Sequence, residues 1–331
     1  MRAMYRKLMA DAFGIIPGGR VLMPAPLYHS APSIIAQTSL DVSERLVLMP
    51  RFDAQGILEM IEAHRITTLY LVPIMYSRLL AVPEEVRSRY DISSLEFVAS
   101  TGAPCAPSVK SQMIEWMGPI IHEAYASSEV GAITIINSAE AMLRPGSAGR
   151  PLATAEVRIL DAQGNAVPPG STGLIYVRQF AYPDFTYRGN DEARRSIERE
   201  GLVTLGDMGH VDDEGYLYVS DRATDMVVSG GVNIYPVEVE HQLVAYPGIA
   251  DCAVFGIPDR EFGEKLIAVL QLEPERDIDT YALIEWLRDR IAGFKIPRVF
   301  ETVSALPRDE NGKIAKRRLR EPHWASHERA I

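Results

Sequence analysis

Short apolar runs alternate with helical patterns over the first 150 residues, and this alternation restricts the fold more than any other feature. The segments concerned are the apolar runs 21–23, 66–72, 95–99 and 120–121 and the helical repeats 55–63 and 107–117. Strands and helices that alternate in this way usually form parallel sheets with helices on their faces. The sequence therefore predicts an α/β layer with a largely parallel sheet over residues 1–150.

The pattern changes twice after this layer. Residues 151–221 contain pairs of short strands around the turns Pro168-Pro169-Gly170 and Asp212-Asp213-Glu214-Gly215, which is typical of a small antiparallel barrel or sandwich. From residue 222 onwards helices and strands alternate again, which predicts a compact α+β unit of about a hundred residues. We therefore predict an α/β portion at 1–150, a β-rich portion at 151–221 and an α+β domain at 222–331.

Charge and cysteine content argue against several functions. The chain has 34 Lys+Arg against 44 Asp+Glu and a net charge of −10, which disfavours a general binder of nucleic acid or of anionic membranes. Its two cysteines cannot build a disulfide framework or a four-thiolate zinc site. No apolar run approaches the ~18–20 residues that cross a bilayer. We therefore expect a cytoplasmic protein with no membrane span and no nucleic-acid partner.

Three segments carry residue types suited to phosphate chemistry. Ser100–Pro104 lies between a predicted strand and a helix, where open α/β sheets bind ligands, although an ordinary turn has the same composition. Glu123–Glu129 follows the next strand and combines hydroxyls with carboxylates, which suit phosphate with Mg²⁺. Asn311–Arg320 is strongly basic, as expected of a solvated helix face or a nucleic-acid tail. A lysine after a glycine turn can also act as an electrostatic clamp on a reacting phosphate.

Five motifs occur in a fixed order along essentially the whole chain. They are Pro26-Leu27-Tyr28-His29, Gly102-Ala103-Pro104, Tyr125 to Glu129, Gly206 to Arg222 with Ser229 to Pro236, and Gly312-Lys313. In this order they resemble the acyl-CoA synthetase branch of the adenylate-forming (AMP-binding) superfamily. The resemblance implies a partial N-terminal adenylation domain, made of an α/β sheet layer and a small β-barrel, followed by a small mobile α+β C-terminal domain.

The resemblance also implies an activity. Such enzymes join a carboxylate to ATP with release of pyrophosphate, and then pass the acyl group from AMP to the thiol of coenzyme A. The expected function is an ATP-dependent acid–CoA ligase for a fatty or aryl, apolar acid, with ATP, Mg²⁺ and coenzyme A as cofactors and substrates. Two alternatives stay open: a non-catalytic nucleotide- or acyl-binding fragment, and an adenylation enzyme that delivers to a carrier protein. The coenzyme-type segment from Val237 to Gly263 favours the ligase over the second.

Several positions are implied to bind the nucleotide. They are Gly102, Ala103, Pro104, Glu123, Tyr125, Asp207, Val219 and Arg222. The adenine would lie against the glycine loop and the Tyr125 ring. Glu123 would accept a hydrogen bond from the adenine amino group, since an ionised carboxylate only accepts. Asp207 would bind the ribose hydroxyls, with a simple turn residue as the alternative.

The implied catalytic residues surround the α-phosphate. Ser128 would contact this phosphate and Glu129 would hold Mg²⁺. Lys313 would bridge the acyl carboxylate and the α-phosphate, where a fixed ammonium stabilises the charge of the transition state. His29 matches a position near the acyl pocket and the carboxylate entry, and the alternative is that it only lines a cleft.

Coenzyme A and the hinge involve residues of the C-terminal part. Ser229-Gly230-Gly231 is implied to form the thioester-side tunnel, since glycines permit close approach of the pantetheine arm. Phe262 would wall the nucleotide end of coenzyme A, with ordinary core packing as the alternative. Lys295 would contact coenzyme phosphates or else remain solvated. Thr224 stands at the hinge about which the small domain rotates, where the family usually has Asp or Lys.

The resemblance also makes predictions about the acyl pocket and about the N-terminal part of the large domain. The implied pocket residues are Tyr28, Met75, Ala99, Ala126 and Ile133. Family members carry a phosphate-binding loop ending in Pro-Lys-Gly ahead of the His29 segment, and no such run precedes residue 20. We therefore expect that about 150 or more residues of the large domain are missing and that the chain alone has little or no adenylation activity. We also expect apolar faces left uncovered to pair two copies as a homodimer.

Overall fold

A computed structural model describes residues 2–308 and 313–325, and these residues divide into two compact units. The first unit comprises Met1–Leu205 and Gly209–Val219, and the second comprises Gly206–Met208 and Ser220–Ile331. Gly312, part of the predicted basic motif, lies outside the described residues. No described helix has the length and apolar character needed to span a bilayer.

The first unit begins with an α/β layer. Its elements are α1 (Arg2–Phe13), β1 (Arg20–Met23), α2 (Ser30–Val42), β2 (Arg45–Leu48), α3 (Ala54–His64), β3 (Thr68–Leu71), α4 (Pro73–Leu80), α5 (Glu84–Arg87), β4 (Phe97–Ser100), α6 (Pro107–Met117), β5 (Ile121–Ser127), β6 (Gly131–Asn137), α7 (Ser138–Leu143) and β7 (Arg150–Pro151). Within the described residues these seven strands form one sheet in the order β2-β1-β3-β4-β5-β6-β7. Pairing is parallel from β2 to β5 and antiparallel from β5 to β7. The predicted, largely parallel layer is confirmed.

Burial on both faces explains why the central strands have continuous apolar sequences. All four residues of β3 are buried, as expected of a parallel strand covered by helices on each side. Helices α4 and α6 each begin with a proline in the first turn, where the missing N–H costs no hydrogen bond. The largest fully buried side chains lie in this layer and include Tyr76, Met9, Leu22, Ile57, Leu69 and Leu71.

Strand β5 is longer than the sequence predicts. The prediction that the Glu123–Glu129 segment follows a strand is wrong for Glu123 to Ser127, which belong to β5, while Ser128 and Glu129 form the turn after it. β5 pairs with β4 on one side and with β6 on the other. The ladder with β4 reaches only to Glu123, whereas the ladder with β6 continues to Ser127 and satisfies backbone hydrogen-bonding groups of this polar segment.

A second sheet follows the α/β layer. Its elements are β8 (Ala155–Leu160), β9 (Gly173–Gln179), α8 (Asp191–Ser196), β10 (Glu198–Arg199), β11 (Leu202–Val211) and β12 (Leu217–Arg222). The described strands are ordered β10-β11-β9-β8, and β12 pairs with β11. β11 runs without interruption through Asp207, which rules out the turn interpretation of that residue.

The second unit is built on a sheet with its own core. Its elements are β13 (Val227–Ser229), β14 (Val232–Ile234), α9 (Pro236–Val244), β15 (Ile249–Asp259), β16 (Gly263–Leu272), α10 (Thr280–Arg288), a 3₁₀ turn (Gly293–Lys295), β17 (Val299–Val303) and α11 (Lys316–Trp324). The described strands are ordered β14-β13-β16-β15, and β17 pairs in parallel with β16. Asp279 caps α10 by accepting hydrogen bonds from two backbone N–H groups. The core includes Val227, Leu243, Val254, Leu266 and Leu287.

Gly149 provides a test of how tightly the first unit is packed. A Cβ at Gly149 would clash with the carbonyl oxygen of Ile135 on β6, and its φ of +90° is unfavourable for other residues. We expect Gly149→Ala to lower the free energy of unfolding by about 3 kcal/mol, measured by urea denaturation.

Gly146→Ala is the matched control for this variant. Gly146 has a similar φ of +83° with nothing within 4 Å of the added Cβ, so only backbone strain of about 1 kcal/mol is expected. Equal losses in the two variants would contradict the importance of the contact with Ile135.

Candidate active site

Two of the predicted loops leave the same edge of the parallel sheet. Ser100, the last residue of β4, is the register partner of Glu123 on β5. Parallel neighbours present their carboxyl ends at one edge, which is where open α/β sheets bind ligands. The structure therefore brings the Gly102–Pro104 loop and the turn at Ser128 and Glu129 to one side of the first unit.

The Gly102–Pro104 loop is flanked by buried residues and is itself mostly exposed. Thr101 and Cys105 are buried, whereas Gly102 and Pro104 are exposed. Gly102 has a φ of +95°, and a Cβ there would meet only Val72, at 3.7 Å. Glycine is thus required by the backbone conformation, and the backbone itself lies open to a ligand.

The turn after β5 is fixed by its own side chains. The Ser127 hydroxyl accepts hydrogen bonds from the N–H groups of Glu129 and Val130, both at 3.2 Å. The Tyr187 hydroxyl donates to Oε1 of Glu129 at 3.2 Å. Tyr187 belongs to a segment in which the sequence analysis identified no motif, and only its position opposite Glu129 indicates a role.

Ser128 connects this turn to the His29 segment. The hydroxyl of Ser128 lies 2.7 Å from that of Ser30, at the start of α2. His29 immediately precedes α2, and its ring centroid is 4.4 Å from that of Tyr28. The first and third sequence motifs therefore meet in the first unit, although about a hundred residues separate them in the sequence.

Glu123 forms a buried ion pair that the sequence analysis did not predict. Its Oε2 lies 2.7 Å from Nζ of Lys110 on α6, and both side chains are at most 10% exposed. Burial raises the pKa of Glu123, while Lys110 acts in the opposite direction. Burial acts to lower the pKa of Lys110, but the effects of Glu123 and Cys105 are larger together, so the pKa of Lys110 is raised. The implied hydrogen bond from Glu123 to adenine stays a prediction, with one carboxylate oxygen committed to Lys110.

The signal for this pair was present in the helix pattern. Lys110 shares the buried face of α6 with Met113 and Met117, at helical spacing. A lysine on an apolar stripe needs a buried partner. The partner comes from a neighbouring strand, and single-sequence patterns carry no information about which one.

Buried side chains of other types surround the pair. Burial is the main cause that raises the pKa of the Cys105 thiol, and the charge of Glu123 adds to it. Burial also raises the pKa of the Tyr76 hydroxyl. The edge that presents the two loops thus rests on a closely packed, partly polar interior.

Tyr125 and Val219 share one apolar cluster. Both pack against a core that includes Val130, Ile133 and Ile175. Of the implied acyl-pocket residues, Met75 and Ala99 are buried in the main core, with Ala126 packed against it. Ile133 belongs to the other cluster, and Tyr28 is exposed. The structure therefore brings together only some of the implied pocket residues.

In the second unit, Asp207 and Arg222 lie side by side on β11 and β12. Nε of Arg222 is 3.6 Å from Oδ1 of Asp207, and the side chains are 58% and 14% exposed, respectively. The N–H of Ala223 donates to the carbonyl of Gly206 at 2.8 Å. Asp207, which is implied to bind the ribose hydroxyls, and Arg222 are therefore brought together within this unit.

The glycine motif of the second unit forms a tight hairpin beside Phe262. Gly230 and Gly231, between β13 and β14, have φ values of +58° and +81°, as in the two-residue turns that join twisted strands. The N–H of Gly230 donates to the carbonyl of Phe262 at 2.8 Å. The Arg298 guanidinium lies 4.2 Å from the centroid of the Phe262 ring, a cation that the sequence analysis missed.

Lys295 and Lys313 differ in their surroundings. Nζ of Lys295 lies 2.7 Å from both carboxylate oxygens of Glu238, so it is ion-paired rather than simply solvated. Lys313 is exposed and precedes α11. Ile314, the next residue, forms a β-bridge with Arg308, which holds the segment that carries Lys313 against the unit.

The turn at Glu129 fits a magnesium ion bound together with a nucleotide. Among the described residues, no group of three or more His, Cys, Asp or Glu side chains is placed to hold a metal. Magnesium in nucleotide sites needs only one or two protein carboxylates, because phosphate and water supply the other ligands. Glu129, next to the hydroxyl of Ser128, is a suitable donor set of this kind.

Known proteins resemble the chain in both sequence and structure. The family model described as AMP-binding enzyme matches residues 1–181, and that of the AMP-binding enzyme C-terminal domain matches residues 238–313. Feruloyl-CoA synthase of Amycolatopsis is 36% identical over 305 residues, which cover 91% of this chain and 61% of that protein. Long-chain-fatty-acid–CoA ligase FadD13 of Mycobacterium tuberculosis is 30% identical over 308 residues, with coverages of 93% and 60%.

A solved structure agrees with these relatives. Amide bond synthetase McbA from Marinactinospora thermotolerans has a TM-score of 0.88 and 30% identity, and the match covers 96% of this chain and 65% of that one. The chain spans about 60% of the length of the curated relatives that it matches.

The buried pair of Lys110 and Glu123 generates a stability prediction. Lys110→Met leaves a buried carboxylate without its cation, so we expect the free energy of unfolding to fall by about 3–4 kcal/mol in urea denaturation. Lys110→Met/Glu123→Met removes both charges and should recover most of this loss.

Lys7→Met is the control for removing a lysine as such, because the ion pair of Lys7 with Asp11 is exposed and contributes little. A double variant no more stable than Lys110→Met would contradict the interpretation as a charge effect.

Proposed function

We propose that this chain, which belongs to the AMP-binding enzyme family, carries the site of an ATP-dependent acid–CoA ligase. The observation that carries the proposal is the arrangement at the sheet edge of the first unit. There the Gly102–Pro104 loop and the turn at Ser128 and Glu129 leave adjacent parallel strands, and Ser128 contacts Ser30 beside His29. The names of the curated relatives support the ligase activity.

The first step would form an acyl-adenylate. A carboxylate oxygen of the acid attacks the α-phosphorus of ATP, the bond to the bridging oxygen breaks, and pyrophosphate leaves. The Ser128 hydroxyl donates to the α-phosphate, and the Lys313 ammonium stabilises the negative charge that develops between phosphate and carboxylate. Asp207 accepts hydrogen bonds from the ribose hydroxyls. Mg²⁺, held through Glu129, would neutralise phosphate charge when bound.

The second step would transfer the acyl group to sulfur. The thiol of coenzyme A releases its proton to solvent, its sulfur attacks the acyl carbonyl carbon, and the bond from this carbon to the phosphate oxygen breaks so that AMP leaves. The hairpin at Gly230 and Gly231 offers backbone without side chains for a narrow pantetheine path. Phe262 and the guanidinium of Arg298, stacked on its ring, together suit a purine with phosphate groups, because arginine pairs with phosphates while it stacks on aromatic rings.

An apolar acid of the aryl or fatty class is the proposed substrate. One relative is named for an aryl acid and another for long-chain fatty acids. Met75, Ala99 and Ala126 lie in the same apolar cluster, which is suited to an uncharged acyl chain or ring. In the family that the chain resembles, glycine is commoner at the position of Ala126, so the extra methyl group would narrow the acyl channel or merely adjust its shape.

An amine is the second candidate acceptor for the acyl group. The structure of McbA, described as an amide bond synthetase, matches this chain closely. Incubation of the protein with a synthetic acyl-adenylate and either coenzyme A, an amine or a carrier protein compares the acceptors directly. We expect the thioester of coenzyme A as the main product. If the amide or the carrier-bound product dominates instead, the proposal of an acid–CoA ligase is wrong.

Lys313 gives the most direct test of the chemistry. We expect Lys313→Ala to lower acid-dependent ATP–pyrophosphate exchange by about 100-fold or more, because the ammonium stabilises only the transition state of adenylation. Thioester formation from a synthetic acyl-adenylate should change much less. Lys7→Ala, an exposed lysine of α1, is the matched control and should leave both rates unchanged.

The assay needs two forms of the protein because the chain spans about 60% of its relatives. One form is the chain itself, and the other is a fusion to the segment of feruloyl-CoA synthase that the chain does not match. AMP binding that stays undetectable by calorimetry in both forms, together with an absence of exchange, would overturn the proposed function.

A further inference from the structure

One face of helix α11 contacts three separate parts of the second unit. Lys316, Arg320 and Trp324 follow each other at four-residue spacing and therefore point to the same side of the helix. Lys316 pairs with Glu240 on α9, Arg320 reaches the segment around Thr224, and Nε1 of Trp324 donates to the carbonyl of Gly256 on β15 at 3.0 Å. The face is thus used along its whole length.

Lys316 lies between carboxylates of two elements. Its Nζ is 2.8 Å from Oε1 of Glu240, and the same oxygen accepts the N–H of Val254 on β15. Asp221, at the end of β12, is buried and accepts the N–H groups of Arg222 and Val237. Burial acts to lower the pKa of Lys316, but the charges of Glu240 and Asp221 have the larger effect, so the pKa of Lys316 is raised. The ammonium therefore pairs directly with Glu240 and is also attracted by the charge of Asp221.

Arg320 contacts the backbone of the predicted hinge. Its Nη1 lies 3.5 Å from the carbonyl oxygen of Thr224 and 3.6 Å from Oδ1 of Asp225. The N–H groups of Asp225 and Met226 both donate to the carbonyl of Arg222, which folds residues 222–226 into a turn. Helix α11 thereby contacts this turn through Arg320, while the charge of Lys316 acts on Asp221 in the strand that leads into it.

We propose that Lys316 and Arg320 are positioning residues that fix the segment carrying Lys313 and the turn at Thr224 in one rigid body. Lys313 lies three residues before Lys316, and the N–H of Ala315 between them donates to the carbonyl of Pro307 at 2.8 Å. The meaning of this link for catalysis rests on the proposed function, in which Lys313 acts on the phosphate and Thr224 is the pivot.

The link has a mechanical consequence for the reaction. If the turn at Thr224 and the Lys313 segment move together, a rotation about Thr224 delivers the ammonium without further adjustment of its own segment. Without these contacts the position of the ammonium would vary more. Displacement of a catalytic group by about 1 Å can lower the reaction rate on the order of 100-fold. Lys316 and Arg320 are therefore expected to affect adenylation through Lys313 while touching no substrate.

Deuterium uptake measured by mass spectrometry tests the link in the intact chain, without any activity. We expect Arg320→Gln to raise uptake at the amides of Asp225 and Met226 about threefold. Lys316→Gln/Glu240→Gln, which removes both charges of the pair, should raise uptake in the same turn and also at residues 313–315. Lys316→Arg, which keeps the cation, should restore protection at least in part.

Arg317→Gln is the matched control on the same helix. Arg317 is 83% exposed and pairs with Glu321 on the opposite, solvent side, so its replacement should leave uptake at the turn unchanged. Unchanged uptake in Arg320→Gln, or an equal rise in Arg317→Gln, would overturn the proposal.

Half-reactions then connect the link to catalysis. In the form that supports pyrophosphate exchange, Lys316→Gln/Glu240→Gln should slow exchange about tenfold or more and leave thioester formation from the acyl-adenylate nearly unchanged. An equal loss in both half-reactions would contradict an effect through Lys313. Absence of both exchange and AMP binding in every form, with the deuterium results as expected, would overturn the proposed function and leave the link intact.

Discussion

Parallel pairing of β4 with β5 is the constraint on which the candidate site of the first unit depends. It places Ser100 next to Glu123, so that the chain leaves both strands at the same edge. The chain would leave the two strands at opposite edges if either strand were reversed. Everything else at this edge refines the arrangement: the buried ends of the Gly102 loop, the turn closed by Ser127, and the contact of Ser128 with α2.

Each unit contains a buried ion pair close to the segments that are proposed to be functional. In the first, Lys110 pairs with Glu123, and in the second, Lys316 pairs with Glu240. Burying such charges carries a desolvation penalty that the attraction between them only partly offsets. The pairs instead fix the relative position of the elements that carry them, because a structure that leaves one buried charge without its partner is far less favourable than one with the pair complete. A helix and a strand, or two helices, are thereby held in a single relative position next to residues proposed to act on the substrate.

The sequence predicted the parts of this architecture that depend on local pattern. Apolar runs separated by helical repeats predicted the parallel layer, whereas the hairpin at Gly230 and Gly231 was not predicted. The sequence did not predict that β5 extends from Glu123 to Ser127, because this polar extension depends mainly on pairing with β6 rather than on apolar alternation. Lys316 was grouped with a solvated basic run, since only the tertiary fold reveals that it faces Glu240 while its neighbour Arg317 faces solvent. The roles of the individual site residues remain predictions drawn from the resemblance.

The two cysteines can report how often the structure opens around these buried ion pairs. Cys105 lies close to Glu123 and Lys110, and the Sγ of Cys252 lies 3.7 Å from the backbone carbonyl of Glu240, close to Lys316. Both are buried and unbridged, and burial raises the pKa of each thiol, so a thiol reagent can reach them only after local opening. Because each unit holds one cysteine, the two labelling rates measure separately how often each unit opens around its ion pair.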